Sequence, residues 1–231
     1  AYVRSLLLDR QGKLDEATKM YKRAVSLRPD YVDARMSLAN LYKSRDMFDA
    51  AISEYKGTLE VIPEAIEKIY ERISFYSDLG IYKQVLDEYG KIENFKETKR
   101  KILKNLASIF KVRGLKDRAI EEYEKLVRLS PDNEIHQALA MLYEEEGRYK
   151  EAILEYKQML KAYPEDENIV NTLRRLEKTQ AHVALATVYQ KQDLINRAIK
   201  EYEQAMVATP EGSFLYYTLA SLYAQTSEKD K

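Results

Sequence analysis

Tyrosine recurs along this chain at a spacing that leaves little freedom in the fold. Tyr21, Tyr55, Tyr89, Tyr123 and Tyr156 are separated by 34, 34, 34 and 33 residues, and Tyr202 follows after 46. Four residues before each stands a small or medium apolar residue: Ala17, Ala51, Val85, Ala119, Ala152 and Ala198. Gly12, Asp46, Gly80, Gly114, Gly147 and Asp193 form a second series with the same spacings. All five prolines, Pro29, Pro63, Pro131, Pro164 and Pro210, fall eight residues after one of these tyrosines. Only the third repeat lacks a proline, carrying Glu97 there. A fixed period of this length marks an array whose units pack on their neighbours.

Each repeat reads as two helices. The first carries a leucine, a small residue and an aromatic at i, i+1 and i+4, as in Leu38, Ala39 and Tyr42, and again in Leu106, Ala107 and Phe110. Leu139, Ala140 and Tyr143 repeat it, as do Leu185, Ala186 and Tyr189. These positions share one helical face. A turn follows at Gly or Asp, which enter the left-handed region at low cost. In the second helix the alanine admits a neighbour closely and the tyrosine covers it. Proline then ends the hairpin, because it pushes the residue before it out of the helical region.

This pattern resembles the tetratricopeptide repeat over essentially the whole chain. The resemblance implies an all-α fold: an α-solenoid of about six helical hairpins with a C-terminal unpaired capping helix, in a single array over 1–231. The repeats fall at about 1–31, 32–65, 66–99, 100–132, 133–166 and 179–212, with a last helix at 213–226. No repeat has the tryptophan often found early in the first helix, and the third has Val85 where alanine is usual. Repeat one begins inside its first helix.

The one exception to the period is a surplus of 12 residues at 167–178. Ile169, Leu173 and Leu176 recur there at i, i+4 and i+7, which is a helical signal. No breaker precedes Thr179, so one helix is expected from about 167 to 190. Two readings stay open: a lengthened helix packed on its neighbours, or a projecting ridge that serves as a docking site or a join between two sub-arrays.

Composition narrows the function. Lys plus Arg equals Asp plus Glu at 38 each, which argues against a dedicated nucleic-acid binder. No apolar run approaches the roughly 20 residues of a membrane span, so no direct membrane insertion is expected. Residues 1–10 lack the basic-then-apolar layout of a signal peptide. Cysteine is absent, which removes disulfides, thiolate metal sites and cysteine nucleophiles. The two histidines, His136 and His182, have no second histidine at i+4 and read as structural or solvent-facing. There is no phosphate loop and no nucleophile elbow. An enzyme is not expected, and no cofactor or metal is implied.

Stacked hairpins leave one face of each first helix on a continuous inner surface. By phase, the residues reaching it are Tyr2, Leu6, Met36, Asn40, Tyr70, Ser74, Lys101, Lys104, Ser108, Gln137, Met141, Val183, Thr187, Tyr217 and Ser221. Their mixture of aromatics, methionines and small polar groups suits a peptide segment or helix of a partner protein. Family members that grip a C-terminal carboxylate use lysine and asparagine at matching places on three successive first helices. Asn40 and Lys104 match two of those places, but Tyr70, Ser74 and Ser108 occupy others, so that clamp is not expected. A basic cluster (Lys96, Lys99, Arg100, Lys101, Lys104) lies between acidic ones (Glu67, Glu71, Asp78; Glu134, Glu144, Glu145, Glu146). It would take an acidic segment or balance its neighbours. The chain therefore reads as a protein-binding adaptor. The rival reading is a scaffold that assembles, or forms homo-oligomers, through array ends and convex faces, supported by Phe214, Tyr216, Tyr217 and Tyr223 on the last helix.

Overall fold

The computed structural model describes residues 2–229, and among these it contains eleven α-helices and no strand. The chain divides into two compact units, Ala1–Glu122 and Tyr123–Lys231. The first holds α1 (Tyr2–Arg10), α2 (Leu14–Leu27), α3 (Val32–Ser44), α4 (Phe48–Asp78) and α5 (Tyr82–Val112). α6 (Lys116–Leu129) straddles the division. The second unit continues with α7 (Asn133–Glu145), α8 (Tyr149–Ala162), α9 (Glu167–Lys191), α10 (Ile195–Ala208) and α11 (Ser213–Lys229).

The periodic residues make the hairpins. All six turn residues, two of them aspartates, take φ between 54° and 73°. The amide of the residue after each hydrogen-bonds back across the turn, as from Met47 to the Tyr42 carbonyl at 3.0 Å and from Arg148 to that of Tyr143 at 2.8 Å, which closes off the helix end. Ala17, Ala51, Ala119, Ala152 and Ala198 are completely buried, and so are the rings of Tyr21 and Tyr55. The tyrosine hydroxyl donates to the residue twelve before it: Tyr156 to Glu144 at 2.9 Å, Tyr202 to Gln190 at 2.8 Å and Tyr21 to Asp9 at 3.4 Å. A second link joins residues nineteen apart: Arg35 to Glu54, His136 to Glu155 and His182 to Glu201, at 2.9, 2.6 and 2.8 Å. Both histidines thus tie the two helices of a hairpin together.

The third repeat departs from the sequence expectation. Proline was expected to end each hairpin, yet Pro63 lies inside α4, which runs on for 31 residues. Elsewhere the residue before the proline is extended, with Tyr163 at φ −132°, ψ 76° and Thr209 at φ −133°, ψ 75°. Asp132 and Asp166 then cap the next helix, accepting from the amides of Glu134 and Asn168 at 2.9 Å each. After Pro63 come Glu64, Ala65 and Ile66, which offer no cap and favour helix. α5 likewise runs for 31 residues, through the position where Glu97 replaces proline. The expected divisions at 65/66 and 99/100 therefore fall inside helices.

α4 and α5 form one antiparallel pair, each about 46 Å long at 1.5 Å per residue. Arg113 meets Asp49, Asn105 meets Tyr55, and Arg72 meets Glu88 near the far end. At the base of the pair, Ile102, Leu103, Leu106, Ile109 and Phe110 are buried. At positions 74–90, Glu88 alone is buried. This far end forms an arm. One side chain explains how the base joins α3. The position twelve before Tyr55 is Lys43, which can donate but not accept. Tyr55 donates to Asn40 Oδ1 at 2.6 Å instead and accepts from Asn105 at 2.9 Å, while Lys43 Nζ reaches Asn105 Oδ1 at 2.8 Å. The first helices of repeats two and four are therefore direct neighbours, and repeat three does not stand between them.

In the second unit, α9 is a single helix of 25 residues. The surplus segment packs: Ile169 and Leu173 are buried and Leu176 is 0% exposed. Arg175 bonds to Glu144 at 2.8 Å and to Thr209 at 3.2 Å, and Lys157 reaches Glu177 at 2.9 Å. The projecting-ridge reading is thereby excluded, because α7, α8 and the end of α10 cover the segment. α11 buries Leu215, Leu219 and Leu222 against Ala186, Tyr202 and Ala205. Its start turns back on the α7–α8 turn, where Ser213 Oγ donates to the Glu145 carbonyl at 3.2 Å. A Cβ on Gly147 would collide with the Phe214 ring, so glycine there serves close approach as well as the turn.

Candidate partner-binding groove

The expected inner surface is not one row. In the first unit Asn40 is committed to Tyr55 and Asn105, and Tyr2 packs its ring on Tyr21 and Tyr31, with centroids 6.0 and 4.9 Å apart. Leu6, Met36 and Ser108 are half-buried, and Lys101 lies 3.7 Å from Glu97. Lys104 is exposed. Tyr70 and Ser74 sit on α4 beyond Pro63, exposed and separated from their expected neighbours because repeat three is not stacked. A cavity of about 420 Å³ in this unit is lined by other residues, among them Arg28, Tyr31, Lys68, Arg72 and Phe95.

The second unit brings two of the expected residues together. Gln137 and Met141 line a cavity of about 810 Å³ between α7, the first half of α9 and the turn joining α10 to α11. Met141 is exposed within it, beside Glu144, Glu145 and Arg175. Val183 is packed on the core instead, Thr187 Oγ1 bonds the Val183 carbonyl at 2.8 Å, and Tyr217 and Ser221 are exposed on α11 away from this lining.

The cavity wall is a polar network. Glu144 accepts from Tyr156 at 2.9 Å and from Arg175 at 2.8 Å, and Thr179 and Thr209 share a 2.7 Å bond behind Arg175. Burial and the Glu144 charge raise the Tyr156 phenol above its usual range. Burial, with Glu144 adding and Arg175 opposing, pushes Tyr149 up to about 12. The Tyr149 hydroxyl is buried and has no hydrogen-bond partner in the protein.

Sequence reading missed Arg175, Thr172 and the 209–213 turn. Its apolar stripe on the surplus segment was visible, but Thr172, Arg175 and Thr179 repeat at i, i+3 and i+7 on the adjoining face. That polar stripe was the available signal.

Left-handed turns, buried alanine–tyrosine pairs and cross-hairpin bonds define an α-solenoid of helical hairpins. A family model described as Tetratricopeptide Repeats-Sensor matches residues 115–223, and a TPR repeat model matches residues 10–46. The chain belongs to the tetratricopeptide repeat family, whose members are generally non-catalytic protein-interaction modules serving as adaptors or scaffolds. Among curated relatives, the BBSome complex member BBS4 of Bos taurus is 26% identical over 138 residues, which is 57% of this chain and 25% of that protein. The chain thus spans about a quarter of that relative's length. Among solved structures, the P58(IPK) TPR domain is 16% identical, covering 96% of this chain and 66% of that one, with TM-score 0.45. MamA is 15% identical, covering 90% and 95%, with TM-score 0.47. Among the described residues no helix is long and apolar enough to cross a membrane.

Proposed function

We propose that this chain is an adaptor that holds a segment of a partner protein in the cavity between α7 and α9. The observation that carries this reading is the 810 Å³ space lined by exposed Met141 and Gln137. Methionine is an adaptable apolar contact, and the amide of Gln137 can pair with an extended backbone. Glu145 and Glu211 make the rim acidic, which favours a segment carrying lysine or arginine. The sensor-type repeat model covers every residue of this lining, which supports placing ligand capture in the second unit.

Selection from a displayed random peptide library tests it. Peptides selected on the full chain should carry basic residues and lose roughly tenfold or more in affinity to Met141→Glu. Peptides that bind wild type and Met141→Glu equally would move the site elsewhere.

A further inference from the structure

The arm carries more exposed apolar surface than it can bury by itself. Its interior is one small cluster, Ile69, Ile73 and Ile92, edged by Ile66, Val85 and Phe95. Outside it Tyr70, Leu79, Tyr82, Leu86 and Tyr89 are 53, 57, 71, 70 and 47% exposed. At roughly 200 Å² for a full side chain, these five leave about 600 Å² open. Leu79 stands nine residues from Tyr70, on the opposite side of α4, and the other four still leave about 480 Å², well inside the roughly 300–600 Å² of the largest patch on a typical monomer.

The surface has a shape. Tyr82, Leu86 and Tyr89 stand at i, i+4 and i+7 and form a ridge on α5. Tyr70, Ser74 and Ser77 have the same spacing on α4, and the two serines leave a trough. Both stripes lie on one flank: measured from the inward Ile66, Ile69 and Ile73 on α4 and from Val85, Ile92 and Phe95 on α5, each is turned by roughly 70–100° in the same sense about its own axis, which in an antiparallel pair brings them to the same side. None of the six stripe residues is charged, as in the core of a specific interface. A twofold contact requires each copy to present a feature and its complement on one face. This flank does so.

We propose that two copies of this chain associate through this flank of the arm, with Tyr82, Leu86 and Tyr89 of each seated over Ser74 and Ser77 of the other. Seating ridge on trough requires the twofold axis to run along the arm, so α5 of one copy lies antiparallel to α4 of the other. The result is a four-helix bundle with both tips at the same end. Two copies bury roughly 960 Å² from Tyr70, Tyr82, Leu86 and Tyr89, and the exposed Ser74 and Ser77 bring this to about 1,000 Å², the size a specific interface needs. The proposal does not depend on the α7–α9 cavity.

Sedimentation velocity on the full chain over about two decades of concentration tests it first. A dimer is expected. Leu86→Lys should raise its dissociation constant roughly tenfold or more, with the helical content of the monomer unchanged. The chain has no cysteine, so Lys83→Cys gives a single labelling site at the tip, away from the stripes. Spin labels there should come within roughly 20–30 Å in the dimer, because packed helices lie about 8–10 Å apart. A chain that stays monomeric throughout overturns the proposal and leaves the arm to another protein. A dimer indifferent to Leu86→Lys, or one with tip labels too far apart to couple, also overturns it and moves the contact elsewhere, such as the array ends.

Discussion

The chain contains two departures from its own period, and they make opposite use of helix length. In the second unit twelve surplus residues lengthen α9, and the added turns are buried beneath α7, α8 and the end of α10. In the first unit no residue is added, yet two missing breaks fuse four short helices into α4 and α5. There Tyr70, Leu79, Tyr82, Leu86 and Tyr89 stay outside. Length alone does not decide whether a helix is core or surface; a third covering element does.

Truncating one leucine in each place should give the largest difference. Leu176→Ala should destabilise by about 2–5 kcal/mol, as for a fully buried leucine. Leu86→Ala, measured in the dissociated monomer, should stay within about 0.5 kcal/mol. Urea denaturation of both variants reads the difference, and equal losses would erase the contrast. Next in size is Pro63→Ala. Within the continuous α4, alanine restores the missing backbone bond and should raise stability by about 1–3 kcal/mol. No gain in melting temperature would show the helix broken at that point. Tyr149→Phe should come next, raising stability by about 1 kcal/mol by removing a buried unpaired hydroxyl. It also has a pH signature. The phenol's folded value of about 12 lies above its unfolded value near 10. The neutral phenol therefore carries no pH-dependent penalty below about pH 10, and stability falls as pH rises toward 12. The phenylalanine variant should lose less stability across that window in alkaline titrations followed by circular dichroism. Smallest is Met141→Ala, whose exposed side chain should leave the melting temperature almost unchanged.

The hairpin turns were legible because only a left-handed residue fits there, and Gly12 through Asp193 announce them. The continuous α9 was legible from Ile169, Leu173 and Leu176. The fusion at Pro63 was not, because a proline at the right phase outweighed the missing cap in Glu64–Ala65–Ile66. The skipped stacking of repeat three was illegible for a different reason. It turns on Lys43 occupying an acceptor's place and on Asn105 arriving from 62 residues away to complete the network. Of the groove, Gln137 and Met141 came from helical phase, whereas Arg175 and the 209–213 turn are brought in by tertiary packing.

The bridge from Asn40 and Tyr55 to Asn105 also bears on how the first unit assembles. In a regular array, folding spreads between neighbours about one period apart, so each closure spans a short loop. Here Asn40 and Asn105 are 65 residues apart, and joining them directly would mean ordering a long loop at once. If α4 and α5 zip together from Gly80 toward the base, Asn105 is carried to its site by contacts that are local at each step. The arm is then a kinetic guide whose closure precedes the docking of the base of α5 on α3, so that the long-range bond forms without a search through an open chain.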